Sequence, residues 1–216
     1  MMSKSSVQRP SLDIERRFWE QGMETIAGVD EAGRGPLAGP VVAAAVIFPK
    51  GLYLDGVNDS KKVSEKKREV LYHAIHEHAL SVGVGIVSHE VIDRINIFQA
   101  SILAMRKAVE RLSLVPEIVL ADGNCFAHDT LRYENIVHGD SQSFAIAAAS
   151  IIAKVTRDHL MREYHEVFPV YGFDRHKGYG TMRHVEAIKQ HGLCEIHRRS
   201  FHMPKLTMPS MEVPRH

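Results

Sequence analysis

The sequence predicts an α/β fold, in which a mixed β-sheet is flanked by helices and a small helical appendage lies at the C-terminal end. Short apolar runs are typical of buried strands, and an alanine-rich stretch over 145–153 is typical of a packed helix. Along the sequence, predicted strands come first and are followed by alternating helices and strands, an order that favours a mixed sheet covered by helices on both faces. With 216 residues, 44% of them hydrophobic, the chain is long enough for one substantial core.

The first predicted element is a short amphipathic helix over residues 12–21, with Ser11 as its N-cap. Its inward-facing side chains are expected to be Leu12, Phe18 and Trp19. Two strands follow, with a glycine-rich turn between them, at residues 25–29 and 41–48. Asp30 and Glu31 directly follow the first of these strands. They would point to opposite faces of the sheet unless the strand ends between them, in which case both could approach one ion.

The middle of the chain is predicted to alternate helix, strand and helix. After a loop over 55–62, Ser64 caps a helix that extends to His78. The next elements are a strand over 80–87 and helices over 89–94 and 97–112. Alanines and isoleucines recur at helical spacing in the last of these, and Pro116 closes the block.

The remaining chain is predicted to contain two short strands and two helices. The strands cover residues 118–121 and 133–137, and the helices cover residues 143–168 and 181–191. A glycine-containing loop over 169–180 separates the two helices, and the chain beyond the last helix is irregular. The alanine-rich face of the long helix is better explained by close packing on the sheet than by binding a partner.

Composition excludes several classes of protein. The longest apolar run, 41–48, is far shorter than the ~20 residues of a membrane span, and the polar N-terminus lacks the apolar core of a secretory signal, so we expect a cytoplasmic protein. Cys125 and Cys194 belong to no C-x-x-C pair, which argues against structural zinc and a disulfide framework.

The balance of 27 basic and 26 acidic residues argues against non-specific nucleic-acid coating but permits a local basic groove. Basic residues expected to line it cluster at 61–62, 66–68, 175–177 and 198–199.

Carboxylates stand where apolar runs end. Asp30 and Glu31 follow the first strand, Asp122 follows the run 118–121, and Asp140 precedes the alanine-rich helix. Hard divalent cations such as Mg²⁺ and Mn²⁺ prefer oxygen ligands. These positions therefore predict a divalent-metal site, although each acid taken alone is equally compatible with a solvated surface position.

Longer segments resemble the bacterial type 2 ribonucleases H, the ribonuclease HII family. They occur in the family's order between about residue 24 and residue 203. The matching segments are GVDEAGRGPLAGP at 28–40, NDSKK at 58–62, DG at 122–123, GDS at 139–141, AAASIIAKVTRD at 147–158 and HKGYGT at 176–181. The related type 3 enzymes carry a sizeable extra N-terminal domain, whereas only about 24 residues precede the first strand here, which favours type 2.

The resemblance implies an RNase H-like fold with a catalytic domain over 24–203. A polar segment and short helix over 1–23 precede it, and a tail over 204–216 follows, for which disorder and a partner-binding strap are both open. The implied activity is endonucleolytic hydrolysis of the RNA strand of RNA–DNA hybrids and incision 5′ of ribonucleotides embedded in duplex DNA. The implied mechanism uses two metal ions, Mg²⁺ or Mn²⁺, and leaves 5′-phosphate and 3′-hydroxyl ends. A monomer is expected.

The resemblance also implies roles for individual residues. The catalytic metal ligands would be Asp30, Glu31, Asp122 and Asp140. Gly33, Arg34 and Gly35 match the segment that grips the ribonucleotide at the junction. Tyr179 matches a tyrosine that packs on the following deoxyribose, and Lys61 matches a lysine that approaches the cleaved phosphate.

Other interpretations remain at this stage. The same fold could carry a catalytically silent nucleic-acid-binding module, or a nuclease or recombinase that cuts all-DNA duplexes. An RNase that uses histidine acid–base pairs is disfavoured, because His73 and His76 are expected on a solvated helix face. The glycines are compatible with turn geometry alone. Asp158 is interpreted as a helix-surface acid paired with a neighbour.

Overall fold

The computed structural model describes residues 9–202 of the chain, so the tail predicted over 204–216 lies outside the described residues. Five strands form one sheet in the order β3-β2-β1-β4-β5. Their bounds are Ile26–Ala32 (β1), Val41–Ile47 (β2), Ser81–Val87 (β3), Ile118–Asp122 (β4) and Tyr133–Ile136 (β5). All five predicted strands are therefore present.

The sheet is mixed, as predicted. β2 pairs antiparallel with both β1 and β3, whereas β4 pairs parallel with both β1 and β5. Parallel pairing brings the carboxyl ends of β1 and β4 to the same edge. Val29 lies opposite Ala121, so the next residues along these strands, Asp30 and Asp122, are neighbours.

Helices cover both faces of the sheet. Their bounds are Asp13–Trp19 (α1), Glu65–His78 (α2), His89–Glu110 (α3), Phe144–Val167 (α4), Phe173–His176 (α5) and Met182–His191 (α6).

The predicted break before residue 97 is confirmed, because Asn96 has φ 66° within α3. Leu12 rather than Ser11 is the N-cap of α1. The predicted loop over 169–180 contains α5 and a 3₁₀ turn at Pro169–Tyr171.

The side chains of β2 point alternately to the two faces of the sheet and contribute to a separate hydrophobic cluster on each face. Its odd-numbered residues, such as Ala43 and Ala45, pack toward α3, and its even-numbered residues pack toward α2 and α4. The alanine-rich part of α4 lies so close to β1 that a Cβ at Gly28 would be 2.1 Å from the backbone of Ala145. The prediction that this stretch packs on the sheet is confirmed.

A buried carboxyl group fixes the start of α4. Glu15 of α1 is 2% exposed and accepts hydrogen bonds from Ser143 Oγ at 2.7 Å and from the backbone N–H of Ala145 at 3.0 Å. Burial raises the pKa of Glu15. This contact anchors the helix immediately after the turn that carries Asp140.

The chain beyond α6 returns to the glycine-rich turn after β1. A β-bridge joins Ala38 to His197, and the N–H of Gly39 donates to Ile196 O at 2.9 Å. Leu37, Met161 and Phe173 belong to the small apolar cluster beneath this contact. In the described residues, no helix is long and apolar enough to cross a membrane.

Candidate functional site

Three of the predicted acids meet at the carboxyl edge of the sheet. Asp30 on β1, Asp122 at the end of β4 and Asp140 on a 3₁₀ turn before α4 each offer a carboxylate oxygen, and these oxygens lie within 4.8 Å of one another. The N–H of Gly139 donates to Asp122 Oδ1 at 2.6 Å, which connects β4 to that turn. Residues far apart in sequence thus form one acidic centre, which we define as these three aspartates.

Glu31 is placed differently from the expectation. β1 does not end before Asp30 but continues to Ala32, because β2 pairs with it as far as Ala32 opposite Val42. Asp30 and Glu31 therefore point to opposite faces of the sheet. Glu31 lines a small pocket on the α3 side together with Arg34, Ser101 and Asp122. The predicted end of the strand at residue 29 was wrong, and Glu31 lies beside Asp122 on the α3 side of the sheet.

Two carboxyl groups of the acidic centre, those of Asp30 and Asp140, are largely shielded from solvent. Asp30 is 5% exposed, and burial raises its pKa well above the ordinary value, with the carboxylates of Glu31 and Asp122 adding to the effect. One hydrogen bond, from the N–H of Glu31 at 2.7 Å, acts in the opposite direction. Burial also raises the pKa of Glu31, against the opposing effect of Arg34.

Lys61 lies at the edge of this centre. Its Nζ is 3.2 Å from Asp140 Oδ2 and 3.6 Å from Asp59 Oδ1. Partial loss of hydration lowers the pKa of Lys61, but Asp140 and Asp59 outweigh it, and the net change is upward. Burial and the nearby Asp59 raise the pKa of Asp140, while Lys61 lowers it. Because the Lys61 side chain is 79% exposed, its ammonium group is accessible to a ligand.

The donor set fits a hard divalent cation. Three carboxylates from separate elements converge without an arginine or lysine paired to Asp30 or Asp122 in the described chain, and the only cation at Asp140 is the exposed Lys61. Oxygen ligands of this kind suit Mg²⁺ and Mn²⁺. A bound cation would offset the mutual repulsion that raises the pKa of Asp30.

The glycine-rich turn and the loop that carries Tyr179 form one surface beside the acids, which we call the loop platform, residues 33–40 and 177–181. The N–H of Leu37 donates to Gly178 O at 2.8 Å, joining the two segments. A Cβ placed at Gly35 would contact the Tyr179 ring at 3.6 Å. Tyr179 is 46% exposed, so its ring is available on this surface.

The two outer glycines of the turn have structural reasons to be glycine. Gly33 has φ +102° and Gly39 has φ +84°, a region that disfavours other residues. Added Cβ atoms would lie 2.2 Å from Arg157 Nε and 2.4 Å from Met161 Sδ, respectively. Gly35 has neither a positive φ nor a close steric neighbour, and it lies at the exposed surface of the platform. Arg34 is exposed and its Nη1 lies 3.3 Å from Glu31 Oε1.

Several residues that support the site were missed or misplaced by the sequence analysis. Arg198 and Lys177, expected in a surface groove, are 2% and 8% exposed. Asp158 is buried rather than on the helix surface, although its predicted pairing with a neighbour is confirmed by Lys154 at 2.7 Å. Arg157, within the predicted helix 143–168, is 1% exposed. Nothing in local sequence distinguishes a buried arginine from a surface one.

Comparison with known proteins gives a consistent result. The family model described as Ribonuclease HII matches residues 27–204. A Ribonuclease HII from Endomicrobium trichonymphae is 54% identical over 189 residues, covering 87% of this chain and 90% of that protein. A Ribonuclease HII from Acholeplasma laidlawii is 54% identical over 194 residues, covering 88% and 94%.

Solved structures agree with this likeness. The ribonuclease H2 from Pyrococcus horikoshii superposes with a TM-score of 0.69 at 25% identity, covering 83% of this chain and 94% of that one. The RNase HII in a complex with PCNA from Archaeoglobus fulgidus gives 0.70 at 28% identity, covering 85% and 98%. A type 3 enzyme, Bst-RNase HIII with Mn²⁺, shares the fold at a TM-score of 0.59 and 19% identity, but only 63% of that chain is covered.

Proposed function

Because this chain belongs to the ribonuclease HII family, metal-dependent endonucleases that act on the RNA of RNA–DNA hybrids, we propose that it also incises duplex DNA on the 5′ side of single embedded ribonucleotides. The products would carry 5′-phosphate and 3′-hydroxyl ends. The observation that carries the proposal is the position of the loop platform directly after the strand that bears Asp30 and Glu31. A surface able to contact the sugar–phosphate backbone thereby adjoins the acidic centre.

We assign the metal ligands to Asp30, Asp122 and Asp140, with Glu31 as a further ligand on the α3 side of Asp122. The placement of Glu31 and Asp122 around one pocket, and of Asp122 with Asp30 and Asp140 around another point, supports two adjacent cations. Two bound divalent ions would lower the pKa of the attacking water and stabilise charge on the attacking and leaving oxygens. The carboxylates supply the negative charge that holds such ions in place.

The protein's own cations act on the substrate. Lys61 presents an exposed ammonium group held by Asp140 and Asp59, at the position where it can contact the phosphate that is cut. Arg34 can exchange its single contact with Glu31 for a phosphate or sugar oxygen, as phosphate contacts fix the register of a bound duplex. Both residues hold the scissile bond against the acidic centre.

Recognition of RNA requires contact with the 2′-hydroxyl group, which distinguishes RNA from DNA at a given site. The backbone at Gly35 carries no side chain and borders the exposed Tyr179 ring. A nucleotide lying on this surface would have its 2′-hydroxyl near backbone donors and the next sugar against the aromatic ring. Such an enzyme would begin the removal of ribonucleotides left in DNA by replication.

The test uses a DNA duplex with one ribonucleotide, an all-DNA duplex of the same sequence and an RNA–DNA hybrid, each with Mg²⁺, Mn²⁺ or chelator. We expect metal-dependent incision 5′ of the ribonucleotide and no cutting of the all-DNA duplex. Tyr179→Ala should weaken selection of the single-ribonucleotide duplex by about tenfold, the size of one lost stacking contact. Tyr179→Phe, which retains the ring, is the matched control.

Each competing interpretation has its own outcome. Cutting of the all-DNA duplex would indicate a general DNA nuclease, and a cyclic phosphate product would indicate attack by the 2′-hydroxyl group. Binding of the hybrid with no cutting under either metal would identify a silent binding module. Cutting of the hybrid without incision at a single ribonucleotide would refute the finer specificity while leaving the family activity intact.

A further inference from the structure

Two arginine side chains lie buried beneath the loop platform without a carboxylate partner. Arg157 on α4 is 1% exposed, and Arg198, which follows the bridge at His197, is 2% exposed. Neither forms a salt bridge within residues 9–202. Burial lowers the pKa of Arg157 to about 10 and, with repulsion from Arg157, that of Arg198 to about 9, so both remain charged at neutral pH.

Backbone carbonyl groups of the platform satisfy both guanidinium groups. Arg157 donates to Pro40 O at 2.9 Å, to Lys177 O at 2.9 Å and to Ala38 O at 3.1 Å. The donors of Arg198 reach four carbonyl oxygens. Arg198 donates to Gly39 O at 2.9 Å, to Arg34 O at 3.0 Å, to Gly33 O at 2.6 Å and to Pro40 O at 3.1 Å. The two side chains together therefore hold both segments of the platform.

These contacts determine which way the peptide groups of the turn face. In a trans peptide, the carbonyl of one residue and the N–H of the next point in opposite directions. The carbonyl groups of Gly33 and Arg34 point inward to Arg198, so the N–H groups of Arg34 and Gly35 point away from it. Among residues 9–202, neither N–H has a hydrogen-bond partner. Two free donors thus face outward above two buried positive charges.

We propose that Arg157 and Arg198 are positioning residues for RNA recognition: they turn the Gly33–Gly35 backbone so that its N–H groups face the RNA sugar and place positive charge beneath the bound phosphate backbone. The proposal rests on the assignment of the loop platform to substrate binding made above. Burying two like charges without a salt-bridge partner among residues 9–202 is costly for the free protein. A nucleic-acid backbone on the platform would supply the missing negative charge.

The test separates geometry from charge. Arg198→Lys retains the charge but loses the planar fork that reaches several carbonyl groups, and Arg198→Met loses both. For Arg198→Lys we expect KM for the RNA–DNA hybrid to rise about tenfold, the effect of losing one or two hydrogen bonds to a charged group, while kcat per folded molecule changes less than about threefold. Arg198→Met should in addition reduce the dependence of hybrid affinity on salt concentration.

Two controls exclude a merely structural role. Arg162→Lys changes a second arginine of α4, the helix that carries Arg157. Arg162 pairs with Glu65 and Glu69 at the surface, so this variant should leave KM unchanged. Ile92→Val, at a buried residue of α3, lowers stability at a position outside the loop platform. Arg157→Lys provides an independent variant if Arg198→Met does not fold.

An unchanged KM in folded Arg198→Lys and Arg157→Lys would overturn the proposal. A change in both kcat and KM that the destabilised variant Ile92→Val also shows would overturn it as well, because it would indicate a merely structural role. A wild-type protein that cuts the hybrid but ignores a single ribonucleotide would refute the finer function above. The arginine proposal would still be decided, because its KM measurement uses the hybrid.

Discussion

The acidic centre and the arginine pair beneath the loop platform both gather like charges inside the protein, yet the chain treats them differently. Every guanidinium nitrogen of Arg157 and Arg198 donates to a backbone carbonyl. In the acidic centre, the hydrogen bonds to Asp30 and Asp122 come from single backbone N–H groups. The pKa of Asp30 is raised, chiefly by burial and then by its acidic neighbours.

This contrast separates buried charges that the fold satisfies with hydrogen bonds from buried charges that it leaves under-satisfied. A buried guanidinium group whose three nitrogens are all bonded to the chain stabilises the backbone it contacts, whereas a group of under-satisfied carboxylates is favourable only when a cation binds. Substitution should therefore have opposite effects in the two regions. Neutralising an acid should remove activity and preserve stability, and removing an arginine should reduce stability first.

The largest expected effect is on catalysis by Asp30→Asn. The change removes one carboxylate from the acidic centre at nearly constant shape, so cleavage of an RNA–DNA hybrid should fall by at least about 10²–10³-fold, the usual loss for one preorganised electrostatic group. The melting temperature in chelator should stay equal or rise, because a buried charge among like charges has been removed. Gel-based cleavage and calorimetry of the same preparation measure both.

Asp129→Asn is the matched control, because this aspartate is 86% exposed and within residues 9–202 its one salt bridge is to Arg106. It should retain full activity. A clear fall in the melting temperature of Asp30→Asn in chelator would show that Asp30 also stabilises the fold, and the proposed contrast between the two regions would fail.

The second prediction concerns the arginine pair. Arg157→Met leaves the carbonyl groups of Pro40, Lys177 and Ala38 without their donors in a buried place, so the free energy of unfolding should fall by about 3 kcal/mol. Urea unfolding monitored by circular dichroism measures the change. Arg162→Met on the same helix, whose side chain is 38% exposed, should cost less than about 1 kcal/mol. Equal losses in the two variants would contradict a special role for the buried site.

Most of the fold could be predicted because its signals are local. Apolar runs of strand length, the alanine-rich stretch of α4 and the caps Ser88, Ser143 and Thr181 depend on residues near one another in sequence. The extent of β1 could not be predicted, because its last residues are held by pairing with Val42 on β2. That pairing also decided the face on which Glu31 lies.

The acidic centre was predictable for a similar reason. An acid at the end of a buried strand is unusual enough to be noticed, and Asp122 and Asp140 stand beside apolar runs in the same way. The family resemblance then implied their role as metal ligands. Arg157 and Arg198 were not predictable, because arginine is usually exposed and the burial of these two depends mostly on carbonyl groups more than 100 positions away. The need for glycine at 33 has the same distant origin, since a side chain there would collide with Arg157.

A cluster of neutral histidines extends the comparison to groups that can acquire charge. His184 Nδ1 lies 2.9 Å from Tyr179 O, to which it donates, so its Nε2 accepts from His197 Nε2 at 3.1 Å. His197 Nδ1 in turn accepts from the N–H of Cys194 at 2.9 Å. Each ring is satisfied only in its neutral form, and the chain of bonds ties the Tyr179 loop to the segment that carries Arg198.

The smallest of the expected effects is a dependence of stability on pH through His184. Burial, with repulsion from His176 and His197, lowers the pKa of His184 from 6.5 to about 4 in the folded protein. The unfolded chain therefore binds a proton at a higher pH than the folded chain, so this contribution to stability is complete above about pH 6.5 and is lost as the pH falls toward 4. At pH 5 the loss should be roughly 2 kcal/mol.

Urea unfolding at pH 7.5 and pH 5 measures this loss in the wild type and in His184→Gln, which should show a smaller difference between the two pH values. The raised pKa of Asp30 and Glu31 acts in the opposite direction, but it is common to both proteins and cancels in the comparison. His73→Gln, on the exposed face of α2, should reproduce the wild-type difference. If His184→Gln does so as well, the histidine cluster does not make the platform sensitive to pH.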